Sequence, residues 1–252
     1  VTYSLRPDTR IGVILPSVNT VVEPLFAKSV PANVSVHTSR MLLSNSLSPE
    51  MVRRMDETDG VAAARQIASC RPSSVAYCCA ASSLVQGREY DRHLRQELEA
   101  ICGTAATTGA YAIECALNYL SVNRLCVVSP YPKQIDELEH QYFRECEFEV
   151  VGSSCLGITD SFSLAAPSAE TLMDLARTAW TSDAQALVIT CLNTYSHEVI
   201  HQLEAELGVP VVTATLATLW HALKLSDVDV TDMPFGSLFQ AKTATETGEI
   251  LR

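Results

Sequence analysis

The sequence predicts an α/β protein of two similar lobes, each a parallel sheet flanked by helices, related by a pseudo-twofold axis. Three observations carry this. Short β-rich runs alternate with amphipathic helical stretches along the chain. Those runs are continuously apolar, as strands covered by helices on both faces are. The second half also repeats landmarks of the first. Leu15-Pro16 answers Ser129-Pro130, Cys79 answers Cys191, and Ala116-Leu117 answers Ala222-Leu223 after a Thr-rich link (Thr107, Thr213), at offsets of 114, 112 and 106 residues.

The elements follow in order. Arg10–Leu15 is a buried strand, and Asn33–Ser39 alternates with period two. Ser48-Pro49-Glu50 starts a helix, with Ser at the N-cap and Pro in the first turn, and the helix runs toward Cys70. A strand at Ser74–Cys79 precedes a charged amphipathic helix at Gln86–Ile101. After a short apolar link come a helix near Ala110–Leu120 and a strand at Arg124–Ser129. A helix at Lys133–Cys146, a strand at Phe148–Ser153, a helix at Ala169–Thr181 and a strand at Ala186–Cys191 continue the alternation. A helix at Ser196–Leu207, a short strand at Val209–Thr213 and a helix at Ala217–Leu225 complete it. Residues 1–115, joined by the C-terminal 211–252, make the first lobe; residues 116–210 make the second. The reactive edge of a parallel sheet is the carboxyl end of its strands. Two facing lobes therefore direct Cys79 and Cys191 into one cleft from opposite sides.

Composition narrows the function. The 252 residues carry Lys+Arg 18 against Asp+Glu 29, a net charge of −11, with no basic cluster. Such a field repels phosphate, which argues against nucleic acid and against anionic membranes. A small anionic substrate is still admissible, because backbone N–H groups act locally inside a pocket. No apolar run approaches the roughly 18 residues of a membrane span. The opening VTYSLRPDTR has no charged stretch followed by an apolar one, so no export signal is visible. Nine cysteines, an odd number, several within apolar segments, read as free thiols of a cytoplasmic protein. Neither zinc-type spacing nor a Gly-rich phosphate loop is present, so no metal and no cofactor is implied. The spelling His197-Glu198-x-x-His201 matches a zinc-protease motif, but it is short and falls on what reads as a surface helix.

A pair of thiols has a definite chemistry. On opposite faces of a planar carbon they remove a proton from one side and return it to the other, which is racemisation without a cofactor. One thiolate alone adds to an electron-poor alkene; rotation and loss of sulfur then give cis–trans isomerisation. Both schemes call for thiol pKa values drawn toward neutrality by N–H groups at helix starts. The small residues Ala80-Ala81-Ser82-Ser83 after Cys79, and Leu192-Asn193-Thr194 after Cys191, supply such groups.

The chain resembles the Asp/Glu racemase superfamily, in the branch of maleate cis–trans isomerases and arylmalonate decarboxylases. The matching segments are Gly12-Val-Ile-Leu-Pro-Ser-Val-Asn-Thr20, His37-Thr-Ser-Arg-Met41, Ala76-Tyr-Cys-Cys79, Ser129-Pro-Tyr131, Leu156-Gly-Ile-Thr-Asp160, Thr190-Cys-Leu-Asn193, Pro210-Val-Val-Thr213 and Ala217-Thr-Leu-Trp220. They span nearly the whole chain in the family's order. The resemblance implies Cys79 as the nucleophile that adds to the alkene and Cys191 as its proton-transfer partner. Cys78 is the rival for the first role; on a strand it faces away from Tyr77 and Cys79. Asn19 matches an Asn that binds a substrate carboxylate, and also reads as a cap for the helix that follows. Tyr131 matches a Tyr that hydrogen-bonds substrate. Backbone N–H groups at Ala80, Ala81, Leu192 and Asn193 would hold carboxylates.

Two departures stand out. Where the isomerases place Asn after Asp, this chain has Ser161, a shorter arm for a carboxylate. Ala80-Ala81 are smaller than the isomerases' usual apolar pair. The decarboxylases keep only the second cysteine, whereas this chain has both. The expected activity is therefore cofactor-independent isomerisation of a small unsaturated dicarboxylate, maleate or a close relative. The alternatives are two-thiol racemisation of an amino acid or 2-substituted acid, arylmalonate-type decarboxylation, and non-catalytic carboxylate binding. A homodimer is the family's expectation, with the apolar helix around Trp220 as a face for the partner.

Overall fold

The computed structural model describes residues 8–231 and 233–241. The opening residues 1–7, part of the stretch in which no export signal is visible, and residues 242–252 of the first-lobe assignment lie outside the described residues.

The first half runs β1 (Thr9–Pro16), α1 (Val22–Ser29), β2 (Val34–Met41), α2 (Pro49–Met55), a π-helical turn (Asp56–Gly60), α3 (Val61–Ala68), β3 (Ser74–Tyr77), α4 (Ala80–Gln86), α5 (Arg88–Cys102) and β4 (Ala106–Thr108). Next come α6 (Gly109–Tyr119), β5 (Arg124–Ser129), α7 (Lys133–Glu145), β6 (Glu149–Cys155), a 3₁₀ turn (Phe162–Ala165) and α8 (Ala169–Ala179). Then follow β7 (Ala186–Ile189), a second 3₁₀ turn (Ser196–Glu198), α9 (Ile200–Leu207), β8 (Val211–Thr213), α10 (Ala214–Lys224) and α11 (Ser237–Gln240).

Both sheets are parallel and share one strand order, β2-β1-β3-β4 and β6-β5-β7-β8. The duplicated landmarks thus mark equivalent places in two equivalent sheets. The central strands are sealed: Ile11, Val13, Ile14 and Leu15 in β1, and Leu125–Val128 in β5, expose none of their surface. Burial on this scale, about 1.5–3 kcal/mol for each large apolar side chain, is what the continuous apolar runs encode.

The lobe boundary differs from the sequence expectation. Residues 211–213 form β8, the edge of the second sheet, and do not belong with the first. The chain then crosses back. α10 packs on α6 and on β3 and β4 of the first sheet. Ser74 donates to the Ala222 carbonyl at 2.9 Å, and the Thr107 hydroxyl lies 2.8 Å from His221 Nδ1. Trp220 is buried against Tyr119 of α6, so this helix is interior and not a face for a partner subunit. Thr108 and Thr213 accept the Tyr111 and Leu216 N–H groups and so cap α6 and α10 alike. The repeat therefore pairs Thr108, not Thr107, with Thr213.

Smaller differences have local causes. The helix expected from Ser48 to Cys70 passes through the π turn at Asp56–Gly60. The helix expected at Gln86–Ile101 starts at Arg88, because Gly87, at φ +89°, separates α4 from α5. The strand expected to reach Cys79 ends at Tyr77.

Candidate active site

The carboxyl ends of the two sheets meet over one cavity. Pro16, Val18 and Asn19 line it after β1, Cys78–Ala81 after β3, Tyr131 after β5 and Cys191–Asn193 after β7. Leu43, Leu47, Val52 and Leu164 complete an apolar wall. About 380 Å³ of non-atom space lies within it, open mouth included.

Cys79 is the extended residue just before α4. It is 7% exposed, and the Ser82 N–H, three residues on, donates to its carbonyl at 3.3 Å. Cys191 has φ +95°, a conformation that a side-chain-bearing residue holds only when its surroundings impose it. Here the Thr194 hydroxyl donates to the Cys191 carbonyl at 2.9 Å, and the Asn193 N–H donates to Cys191 Sγ at 3.4 Å. The Tyr131 hydroxyl, in the same cavity wall, favours the thiolate form of that sulfur. Cys79 and Cys191 line the same cavity, one from the end of each sheet, and the charge of Cys191 raises the Cys79 pKa.

The expectation of near-neutral thiols is not met. Burial pushes Cys79 up to about 12, and the nearby Asp56 carboxylate pushes the same way. Burial pushes Cys191 up to about 12 as well, against the opposing N–H of Asn193 and hydroxyl of Tyr131. Both rest as neutral thiols, so the nucleophile has to lose a proton as it attacks. Cys78 also lines the cavity, but burial raises it further, and its thiol donates to the Ala76 carbonyl two residues back.

Asn19 and Asn193 hold the lobes together. Asn19 Oδ1 accepts the N–H groups of Val21 and Val22, which caps α1, and its Nδ2 donates to the Leu192 carbonyl at 3.2 Å. Asn193 Oδ1 accepts the Thr20 N–H at 3.0 Å, and its Nδ2 donates to the Val18 carbonyl at 3.5 Å. Each amide keeps a second N–H for a ligand. Gly109, at the start of α6, sits between the residues that follow the two cysteines. A Cβ there would lie 2.6 Å from Leu192 Cδ1 and 3.2 Å from the Ala80 nitrogen.

Ser161 is the exception among the expected site residues. It does not line the cavity. Its hydroxyl donates to the Ser44 carbonyl at 2.7 Å and its N–H to the Asn45 carbonyl at 2.9 Å. With Leu47 N–H on Thr159 and an antiparallel bridge between Ser46 and Asp160, it stitches the loop after β2 to the loop after β6. The two loops roof the cavity through Leu43, Leu47 and Leu164. Arg40 is likewise structural: it pairs with Glu23 and donates to the Ser17 and Asn19 carbonyls. His201 bonds the Pro234 carbonyl, and His197 packs beside Tyr195.

Five acids are buried among the described residues and the sequence reading singled out none; two of them, Asp56 and Glu139, influence the cysteines. Asp56 faces Cys79's side of α4, accepting from Tyr77, Ser82, Gln86 and Tyr90. Glu139 on α7 is fully buried, with no good hydrogen bond to either oxygen; burial lifts its carboxyl well above the usual range. Each stands on an apolar helical stripe. Asp56 follows Val52 and Met55, and Glu139 lies between Ile135 and Tyr142-Phe143. An acid at such spacing was the available signal.

The sequence profile of arylmalonate decarboxylase matches residues 11–239. The chain belongs to the arylmalonate decarboxylase family. Within this family it is 28% identical to the maleate isomerase of Pseudomonas putida KT2440 over 233 residues, 87% of this chain and 92% of that protein. Its fold superposes on the maleate isomerase Iso from Pseudomonas putida S16, a cysteine-to-alanine variant with maleate, at TM-score 0.88 and 28% identity, covering 93% of this chain and 98% of the other. It also superposes on the Nocardia farcinica maleate cis–trans isomerase, a cysteine-to-serine variant with a covalently bound succinylcysteine intermediate, at TM-score 0.86 and 26% identity, covering 93% and 99%. The two-lobe α/β architecture expected of this family member is the one observed. No helix among the described residues is long and apolar enough to cross a membrane.

Proposed function

We propose that this family member is a cysteine-based cis–trans isomerase of a small unsaturated dicarboxylate, maleate to fumarate or a close relative. The observation that carries the reading is the pair of thiols, Cys79 and Cys191, one from each sheet, in a single cavity. The maleate isomerases among its relatives and the succinylcysteine formed in one of them point the same way.

The substrate carboxylates rest against the free N–H groups of Asn19 and Asn193, the backbone N–H groups of Ala80, Ala81, Leu192 and Asn193, and the Tyr131 hydroxyl. Cys79 sulfur adds to C2, and the alkene's electron pair moves onto C3, delocalised into the adjacent carboxylate. Cys191 delivers its proton to C3 and takes up the proton that Cys79 sheds, which gives a succinyl thioether. The C2–C3 bond, now single, rotates. Cys191 removes a proton from C3 and returns its own to Cys79 as sulfur leaves C2, and the trans alkene remains. The scheme uses only thiols and hydrogen-bond donors, so it asks for no cofactor. The neutral resting thiols suit it, because a permanent thiolate would meet a dianionic substrate with repulsion.

A cytoplasmic location accords with nine cysteines free of disulfides. A homodimer is carried over from the resemblance, and light scattering tests it. The decisive assay is proton NMR in deuterium oxide with maleate, other small dicarboxylates and 2-amino acids. Conversion of maleate to fumarate is the expected result. α-Deuteration without alkene chemistry would replace this reading by racemisation, and loss of carbon dioxide by decarboxylation.

A further inference from the structure

The two cysteine turns occupy equivalent places, after the third strand of each sheet, yet they are held in different ways. Cys79 stands two residues past the end of β3, and Cys191 two residues past the end of β7. Each has a hydroxyl three positions on, Ser82 and Thr194. Thr194 turns back and donates to the Cys191 carbonyl at 2.9 Å, so that turn is closed from within. Ser82 turns away: its hydroxyl donates to Asp56 Oδ1 at 2.8 Å. Cys79, at the N-cap of α4, makes no side-chain cap bond of its own. The strand ends differ as well. β7 ends in Ile189, whereas β3 ends in Tyr77, whose hydroxyl donates to the same Asp56 oxygen at 2.5 Å.

One carboxylate oxygen from the end of α2 therefore grips the chain on both sides of Cys79, two residues before it and three after it. Within the turn the backbone adds only the Cys78 N–H on the Ile14 carbonyl, at 2.6 Å, and the long bond from the Ser82 N–H to the Cys79 carbonyl, at 3.3 Å. The other carboxylate oxygen accepts from Gln86 Nε2 at 2.8 Å and from the Tyr90 hydroxyl at 3.0 Å. Four donors need four acceptor sites, which a carboxylate supplies. Tyr77 and Ser82 are fully buried and Asp56 is 8% exposed, so water does not compensate for a broken bond to Oδ1. Asp56 opens the π turn that follows α2, and such turns recur at functional sites.

We propose that Asp56 is the positioning residue of the nucleophile: through Oδ1 it clamps Tyr77 and Ser82, and so fixes the turn that carries Cys79 and the Ala80 and Ala81 N–H groups. The proposal rests on the isomerase reading, which makes Cys79 the attacking thiol. Asp56 touches neither substrate nor the reacting atoms. It acts before substrate arrives, since a reacting atom displaced by about 1 Å loses about a hundredfold in rate. The two oxygens have separate duties. Oδ1 orients the nucleophile, while Oδ2, on Gln86 and Tyr90, docks the far end of α4 and the start of α5.

That division supplies an internal control. Ser82→Ala and Tyr90→Phe each remove one hydroxyl bond to the same carboxylate, from opposite oxygens. Ser82→Ala and Tyr77→Phe lower kcat/KM for maleate about tenfold, while Tyr90→Phe stays within about twofold at a similar urea midpoint. Asp56→Ala falls about a hundredfold. Asp56→Asn is the rescue: hydroxyls either donate to or accept from an amide, so the clamp persists without the charge and kcat/KM stays within about threefold of the parent. Backbone hydrogen exchange, read by mass spectrometry on peptides spanning residues 78–82, reports the turn directly. It speeds up about tenfold or more in Asp56→Ala, Tyr77→Phe and Ser82→Ala, and is unchanged in Tyr90→Phe and Asp56→Asn. If Asp56→Ala does not fold, the two hydroxyl variants decide. A Tyr90→Phe as impaired as Ser82→Ala, an Asp56→Asn as impaired as Asp56→Ala, or unaltered exchange in Ser82→Ala would each overturn the clamp. Exchange needs no substrate, so the expected exchange pattern in a protein without maleate turnover would remove the isomerase reading and leave the clamp standing.

Discussion

Asn19 and Asn193 reach across the molecule into each other's loops. Asn19 donates to the carbonyl of Leu192, the neighbour of Asn193, while Asn193 accepts the N–H of Thr20, the neighbour of Asn19. The pairing ties the loop after β1 to the loop after β7, the one that carries Cys191. Asn19→Ala removes three buried hydrogen bonds and leaves the Val21, Val22 and Leu192 groups short of partners. The expected cost is about 2–3 kcal/mol in urea unfolding. A change below about 0.5 kcal/mol would mean that other contacts hold the lobes.

Cys79→Ala and Cys191→Ala each lower turnover by at least about a thousandfold while circular dichroism stays unchanged. Full activity in either one ends the two-thiol scheme.

Glu139 governs a pH dependence of stability. Its folded pKa lies well above its ordinary 4.5. Above the ordinary value, the unfolded chain has released a proton that the folded one still binds. Stability from this group is therefore greatest at or below about pH 4.5 and falls as pH climbs toward the folded pKa, at up to about 1.4 kcal/mol per pH unit. Glu139→Gln removes that slope. Its stability relative to the parent rises between pH 5 and 8 in chemical denaturation. A constant difference across that window would show that Glu139 is ionised in the folded protein.

Gly109→Ala places a methyl group where Leu192 and Ala80 already are. Overpacking of this kind costs about 1–3 kcal/mol. Because the displaced residues follow the two cysteines, kcat falls more than stability alone explains. A variant that unfolds earlier but turns over normally would show that the cysteine loops move independently of α6.

Ser161→Ala separates the roof from the substrate. With its hydroxyl on Ser44, the loss is about 1 kcal/mol of stability and KM moves by less than about threefold. A KM raised more than about tenfold, with stability unchanged, would return Ser161 to the substrate.

The alternation of apolar runs and amphipathic helices was enough to place both sheets, because every central strand is covered on both faces and so reads as continuous hydrocarbon. The cysteines were legible for the same reason: each follows an apolar run and precedes small residues. The missing parts depend on contacts between distant segments. Nothing local to Val211–Lys224 says that its strand joins one sheet and its helix the other. Ser161 looked like a shortened ligand arm because its partner, Ser44, is 117 positions away. Asp56 and Glu139 lay in charged stretches, Asp56-Glu-Thr-Asp59 and Glu137-Leu-Glu139, whose majority is solvated. The two buried members were marked only by their register with Val52 and Ile135.

The return of α10 to the first sheet has a mechanical consequence. A polypeptide whose last strand belongs to one half and whose next helix is packed into the other is braided, and the halves share too much packing to swing apart like a clamshell. The covering loops are joined to each other by a handful of bonds, with Leu42 and Phe162 turned outward to water. The cysteines follow β3 and β7, strands of that braided frame and not of the cover.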